Sequence, residues 1–327
     1  MTGPDNIAAT APPARPLLAG SSLIKVGTCS WTDPTLVKES DWYPKRTMTA
    51  QERLQYYSSQ FCVVEADSTY YRPLSPELAR SWAERSPEGF CFDIKAFGLL
   101  TGHPVERVTL WPDIASQTTG GDLDGSSTRR VYSRHLPPDA LEEVWARFVH
   151  ALAPLRQAGR LGAVLLQYPS WFTPNKANKH ELSLLPGRLD GARACVEFRS
   201  PLWLASEQRD RTLSLLRELG IAHVVVDAPV ASGLGTVVAT TRDDLAVARF
   251  HGRADATWKA KVSSAAERFR YLYTLEELAG WAPNAMQLAQ SSAEVHLLMN
   301  NCYRDYGTRN ASQLAEILAR EAGEALS

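Results

Sequence analysis

Ala246-Val247-Ala248-Arg249-Phe250-His251, followed by Gly252-Arg253, is a strand-length run that begins apolar and ends in charge. Seven other short apolar runs, at 24–29, 61–67, 90–95, 161–167, 192–199, 222–227 and 295–301, nearly all end likewise in a charged or amide residue. Short continuous stretches rich in Val, Ile, Leu and Phe suit strands covered on both faces, which are the strands of parallel sheets. Segments with helical patterning separate most of them. Eight such units predict an α/β fold, a (β/α)8 TIM-like barrel, in which the C-terminal ends of the strands carry the chemistry and the opposite ends carry stability.

The helix signals agree with that alternation. Thr49 with Glu52 forms a capping box opening a helix that ends near Gln60, and Ser75 with Pro76 opens another through Arg85. The pattern from Pro138 to Gln157 closes at Gly159, and 208–219 closes at Gly220. Thr274 with Glu277 opens a later helix, and 310–322 forms the last. The sixth connection, 228–244, is rich in Gly, Val and Thr and reads as an extended excursion, so the barrel is expected to be irregular there. Between residues 98 and 137 lies a Gly- and Ser-rich stretch ending in Arg129, Arg130 and Arg134. It leaves the third strand over the proposed rim, as a long loop insertion that is either a functional flap or a mobile surface excursion.

At 327 residues, one barrel of about 250 residues plus a tail and an insertion accounts for the chain. Residues 1–23, rich in Ala and Pro and lacking a sustained apolar core, read as a flexible N-terminal leader, and 24–327 as one barrel domain. No stretch reaches the ~20 apolar residues that cross a bilayer, so no membrane partner is expected. The 35 basic and 36 acidic residues give a formal charge of −1. No global field therefore favours nucleic acid, and any anion preference must be local. Five cysteines, Cys29, Cys62, Cys91, Cys195 and Cys302, are an odd number without zinc-site spacing and read as free thiols of a cytoplasmic protein. Cys29 and Cys302 are expected to approach each other where the first and eighth strands close the barrel.

The strand ends carry ionisable pairs two residues apart, which alternation places on one face: Glu65 and Asp67, Asp93 and Lys95, Glu197 and Arg199, Arg249 and His251. Two neighbouring carboxylates repel, and the repulsion raises one pKa, the condition for acid/base work near neutral pH. The alternative is a structural ion-pair network. Lys95, Arg199, Arg249 and Arg253 would converge on a phosphate or carboxylate, with His251 beside them and Gln167, Asn300 and Asn301 completing the polar set. Glu65, Glu197, Asp227 and His251 also offer metal-donor chemistry, although nearby cations would already neutralise the carboxylates. No cofactor is expected, a divalent metal being the alternative. Trp31 and Tyr70 head a set of aromatics with Tyr71, Trp171, Phe172 and Trp203 that either stack on a ligand or pack as wedges.

Gly27-Thr28-Cys29-Ser30-Trp31, Val64-Glu65-Ala66-Asp67-Ser68-Thr69-Tyr70-Tyr71, Phe92-Asp93-Ile94-Lys95, Gln167-Tyr168-Pro169, Val196-Glu197-Phe198-Arg199-Ser200-Pro201, Asp227-Ala228-Pro229, Arg249-Phe250-His251-Gly252-Arg253 and Asn300-Asn301 resemble, in this order, domain-of-unknown-function family 72, the YecE-like proteins. The resemblance runs from about Ile24 to the final helix and implies a TIM-like barrel with a polar pocket at the strand C-termini, without naming a reaction. This chain departs from the family's usual residues at Cys29, Ser30, Asp67 and Ser200.

The resulting expectation is an enzyme, a hydrolase or isomerase, acting by acid/base chemistry on a small anionic sugar- or nucleotide-like substrate. Glu65, Glu197, His251, Asp67 and Asp227 are its candidate catalytic residues. One alternative is a non-catalytic protein that binds an anionic metabolite or a nucleic-acid end. The other is a metal-dependent isomerase or phosphodiesterase. Nucleic acid is the less favoured partner, and the oligomeric state is left open.

Overall fold

The computed structural model describes residues 15–119, 130–258 and 265–323. Eight parallel strands close into a barrel: β1 (Ser22–Thr28), β2 (Val63–Ala66), β3 (Cys91–Lys95), β4 (Leu161–Tyr168), β5 (Ala194–Phe198), β6 (Ala222–Asp227), β7 (Ala246–Phe250) and β8 (Glu294–Met299). Strand β1 closes the ring by pairing with β8, Leu23 opposite Glu294 through Thr28 opposite Met299, and with β2. Around the strands lie α1 (Ala50–Gln60), α2 (Pro76–Arg85), α3 (Pro138–Gln157), α4 (Lys176–Arg188), α5 (Ser206–Glu218), α6 (Leu275–Gln290) and α7 (Tyr306–Glu321). All eight predicted strands are present, as are the capping boxes at Thr49 and Thr274 and the Ser75 cap.

Two buried apolar layers hold the barrel. The larger fills the space between strands and helices. The smaller, with Val63, Leu165, Cys195, Val224, Val247 and Leu298, gathers the residues that strand alternation turns inward. One seam explains a glycine. A Cβ on Gly27 would stand 2.0 Å from the Val63 carbonyl oxygen, so β1 and β2 approach only because that side chain is absent. The seam has just two registered pairs, and the buried Tyr57 hydroxyl bridges it, accepting from the Thr28 amide at 2.9 Å and donating to the Val63 carbonyl at 3.2 Å.

Two stretches differ from their sequence reading. Within the span read as leader, Leu17–Ala19 is a strand antiparallel to β1, turned by Gly20 at φ +63°, so residues 17–23 are part of the sheet. Its apolar ends, Leu17 and Ala19, are buried, which two residues flanking an exposed Leu18 signal only weakly. The 98–137 insertion carries structure on both flanks: a two-stranded ribbon pairs Val105–Glu106 with Arg130–Val131, and a helical turn spans Pro112–Ala115. Arg129 lies outside the described residues. The sixth connection holds only a short 3₁₀ turn, Val230–Ser232, as its composition predicts. No helix of the described residues is long and apolar enough to cross a membrane.

Candidate active site at the C-terminal rim

Three carboxylates and three cations from β2, β3, β5 and β7 form one ladder inside the top of the barrel. Arg249 is its centre: Nε and Nη2 donate to the two oxygens of Glu65 at 2.8 and 2.7 Å, while Nη1 donates to Glu197. Glu197 also accepts from Gln167 Nε2 at 2.7 Å and pairs with Arg199 Nε at 2.6 Å. His251 Nε2 lies 3.2 Å from the same carboxylate and 3.2 Å from Arg199 Nη2, and Asn300 meets its Nδ1 at 2.7 Å. On the other side Asp67 pairs with Lys95 at 2.8 Å, and the Lys95 ammonium sits 4.9 Å from the centre of the Tyr70 ring.

Depth divides the ladder into two tiers. Glu65, Glu197 and Arg249 have 0 % exposure and His251 has 1 %. Asp67, Lys95 and Arg199, each at a strand's end or just past it, reach a cavity of about 760 Å³ above them. Residues two apart on a strand share a face but differ in height by about 6–7 Å, so the first of each pair is under the floor and the second is on it. His251 is the exception, covered by Trp258 and Phe269 with ring centres 6.1 and 5.7 Å away.

The tiers titrate differently. Burial pushes Glu65 up to about 8; Arg249 opposes that rise and the hydrogen-bonded Asp67 adds to it. Burial would raise Asp67 as well, but Lys95 and Arg249 outweigh it and hold the carboxyl below its usual range. The two carboxyls are thus shifted in opposite directions, Glu65 up mainly by burial and only in part by the neighbouring carboxylate, Asp67 down by its cations. Glu197 differs from its expected role: against its burial, Arg199 and Arg249 hold it ionised well below the carboxylate range. A carboxylate fixed by so many donors anchors cations and does not carry protons. His251 is pushed down to about 3 by burial and then by Arg199, so it stays neutral.

Of the other predicted residues, Gln167, Asn300 and Tyr70 line the cavity. Four do not join it. Trp31 is core, packed edge-on to Trp82 and Phe92 at 5.0 and 5.9 Å. Asp227 accepts from Tyr273 at 2.6 Å, Trp281 at 2.8 Å and both ends of the Arg253 fork, an arrangement that locks β6 to α6 and engages Arg253. Asn301 donates to the Tyr271 carbonyl and to Asn310, fixing β8 to α7. The proposed metal donors also fail to surround a common space, because Arg249 occupies the gap between Glu65 and Glu197 and Asp227 is engaged elsewhere. The donors that do gather, Cys91, Glu294 and His296 within 4.8 Å, lie at the opposite end of the barrel, where Lys25 and Arg193 already neutralise Glu294.

The cavity also recruits residues that the strand-end reading passed over: Asp33, His103, Trp258, Phe269, Arg268 and Cys302. They come from the loops after β1, β3, β7 and β8, and only their position after a strand end marks them in the sequence. Cys29 and Cys302 line the same cavity as free thiols.

The fold and site together define a TIM-like barrel with a polar, ion-paired pocket at the strand C-termini. Residues 25–327 match the family described as "Protein of unknown function DUF72", and the chain belongs to that family. It is 28 % identical over 301 residues to the UPF0759 protein YunF of Bacillus subtilis (strain 168), covering 90 % of this chain and 95 % of that protein. Crystal structures of DUF72 family proteins share the fold. One from Enterococcus faecalis V583 has a TM-score of 0.71 at 22 % identity, covering 93 % of this chain and 97 % of that one. One from Thermotoga maritima MSB8 has a TM-score of 0.69 at 26 % identity, covering 90 % and 98 %.

Proposed function

We propose that the rim cavity is the active site of an enzyme that moves a proton on a small phosphorylated or carboxylated substrate. Lys95 and Arg199 receive the anion. Asp67 is the carboxylate that touches the guest, and Glu65, out of reach behind it, is the proton store with which Asp67 exchanges. Glu197, Arg249 and His251 hold those groups in position and do not react. The two-tier ladder is the observation that carries this reading: charges this deeply buried cost several kcal/mol each unless paired, and an apolar filling would stabilise a barrel better. With all six groups ionised the ladder is neutral. A proton on Glu65 leaves it one positive charge, which an anion bound at Lys95 and Arg199 neutralises.

A metabolite extract incubated with the protein and analysed by mass spectrometry tests this directly. The wild type is expected to deplete a phosphorylated or carboxylated compound, and Asp67→Asn to lose at least about 100-fold of that rate, the usual contribution of one general acid or base. Depletion by Asp67→Asn at the wild-type rate would overturn the assignment. The saturation of Glu197, Arg249 and His251 favours a second reading, a non-catalytic binder of an anionic metabolite. Under that reading a compound raises the Tm through Arg199 and is recovered unchanged.

A further inference from the structure

His103 is the half-buried imidazole of the cavity wall, on the segment that leaves β3. Its ring stands edge-on between Tyr70 and Trp171, with centres 5.3 and 5.9 Å apart, so packing on both sides sets its plane. One nitrogen is committed. Nδ1 is 3.0 Å from the hydroxyl of Thr101, which is itself 1 % exposed and 3.2 Å from the Gly98 carbonyl. A carbonyl carries no proton, so in the Thr101–Gly98 hydrogen bond the Thr101 hydroxyl is the donor. The arrangement that makes both contacts hydrogen bonds therefore has Nδ1–H donating to Thr101. Nε2 then carries the lone pair.

The ring also stays neutral where its neighbours are charged. Burial, followed by the positive charges of Lys95 and Arg199, pushes it down to about 4. His103 is thus an acceptor set beside two cations, the complement of a guest that carries an anion at one point and a hydroxyl donor at another. Around it the mouth offers exposed ring surface: Tyr71 is 62 % exposed and Trp171 59 %. Flat aromatic faces at a wet rim suit the C–H faces of a sugar ring.

We propose that His103 is a specificity-determining residue of the rim cavity, accepting at Nε2 a hydroxyl of a sugar phosphate or sugar acid whose anionic group rests on Lys95 and Arg199. The proposal rests on the anion-binding reading above and extends it from charge to substrate class. It also assigns a role to the start of the insertion after β3, where the 3₁₀ turn Gly98–Thr101 holds the buried Thr101 behind His103, two residues past the turn on the cavity wall.

Calorimetric titration at pH 7 with inorganic phosphate, glucose 6-phosphate, ribose 5-phosphate and 6-phosphogluconate tests it. One neutral hydrogen bond is worth about 1 kcal/mol, so at least one sugar ligand is expected to bind about 5-fold or more tightly than phosphate. His103→Phe, which keeps a ring between Tyr70 and Trp171, should abolish that preference while leaving phosphate affinity unchanged. A preference that survives in His103→Phe, or is missing from the wild type, overturns the role of His103. If none of the four ligands binds the wild type, the anion reading itself fails, and this proposal with it. The ¹⁵N spectrum of histidine-labelled wild type gives an independent check: a proton on Nδ1 of His103 is expected, and a proton on Nε2 overturns the proposal even if the variant does not fold.

Discussion

At the scale of single residues, the backbone records a cost at the floor of the cavity. Ser30, just past β1, has φ +120°, a region that side-chain-bearing residues rarely occupy. Strain of this kind costs ~1–3 kcal/mol and persists where the surroundings impose it. Two neighbours do so: the Thr28 hydroxyl donates to the Ser30 carbonyl at 2.9 Å, and the Thr32 amide donates to the Ser30 hydroxyl at 3.0 Å. Ser30→Gly should release the strain at a cost of ~0.5–1 kcal/mol in unfolded-chain entropy. The net expectation is about 1 kcal/mol of stabilisation, a rise of ~2 °C in Tm by calorimetry. A lower Tm would show that the hydroxyl contact outweighs the backbone. Sequence alone located the ionisable residues at the strand ends but could not rank their depth. Glu65 and Asp67, or Glu197 and Arg199, look equivalent in a two-residue alternation, yet the rise along the strand puts one beneath the floor and the other upon it. Asp93 shares that alternation with Lys95, yet it faces the other way along the barrel, toward His296 at 2.7 Å.

At the scale of elements, legibility followed local chemistry. Helices whose starts are written in side chains, such as Thr49 with Glu52 or Thr274 with Glu277, could be read because the cap is a contact between residues three apart. The helix Lys176–Arg188 is harder to read from sequence: its polar residues do not segregate to one face and Pro186 interrupts its last turn, so burial of Leu182 and Leu185 against the barrel decides it. Asp227, Arg253 and Asn301 stand apart from the cavity because a polar residue at a strand end can turn outward to a helix as readily as inward to a guest. The β1–β2 seam is likewise a tertiary fact, and it yields a prediction. Tyr57→Phe removes the acceptor of the Thr28 amide while keeping the ring, and an unsatisfied buried N–H costs ~1–3 kcal/mol. The urea midpoint should fall accordingly with the m-value unchanged. An unchanged midpoint would mean that another group replaces the hydroxyl.

Over the whole molecule, a formal charge of −1 conceals two ionic layers separated by an apolar one. The rim ladder lies at the top. At the bottom His296 joins Asp93 and Glu294, both at 2.7 Å, with Lys25 and Arg193 on Glu294. Asp93 and the neighbouring charges overcome burial and raise His296 well above its ordinary value, so this layer is held by an imidazolium. Glu65 above and His296 below thus both keep protons in the fold that the unfolded chain gives up sooner. Between the unfolded carboxyl value of about 4.3 and the folded value of about 8, native Glu65 binds a proton that unfolded Glu65 has lost. Its contribution is fully present below that window and lost as pH rises through it, at up to about 1.4 kcal/mol per pH unit. Glu65→Gln isolates the effect, because the amide mimics the protonated acid and does not titrate, while His296 remains in both proteins. Urea unfolding at pH 5, 6.5, 8 and 9 should show wild-type stability falling relative to Glu65→Gln from pH 5 to 8 and then levelling. A difference independent of pH would place an ionised Glu65 against Arg249 throughout, leaving Asp67 no proton to exchange and removing the store on which the proposed chemistry depends.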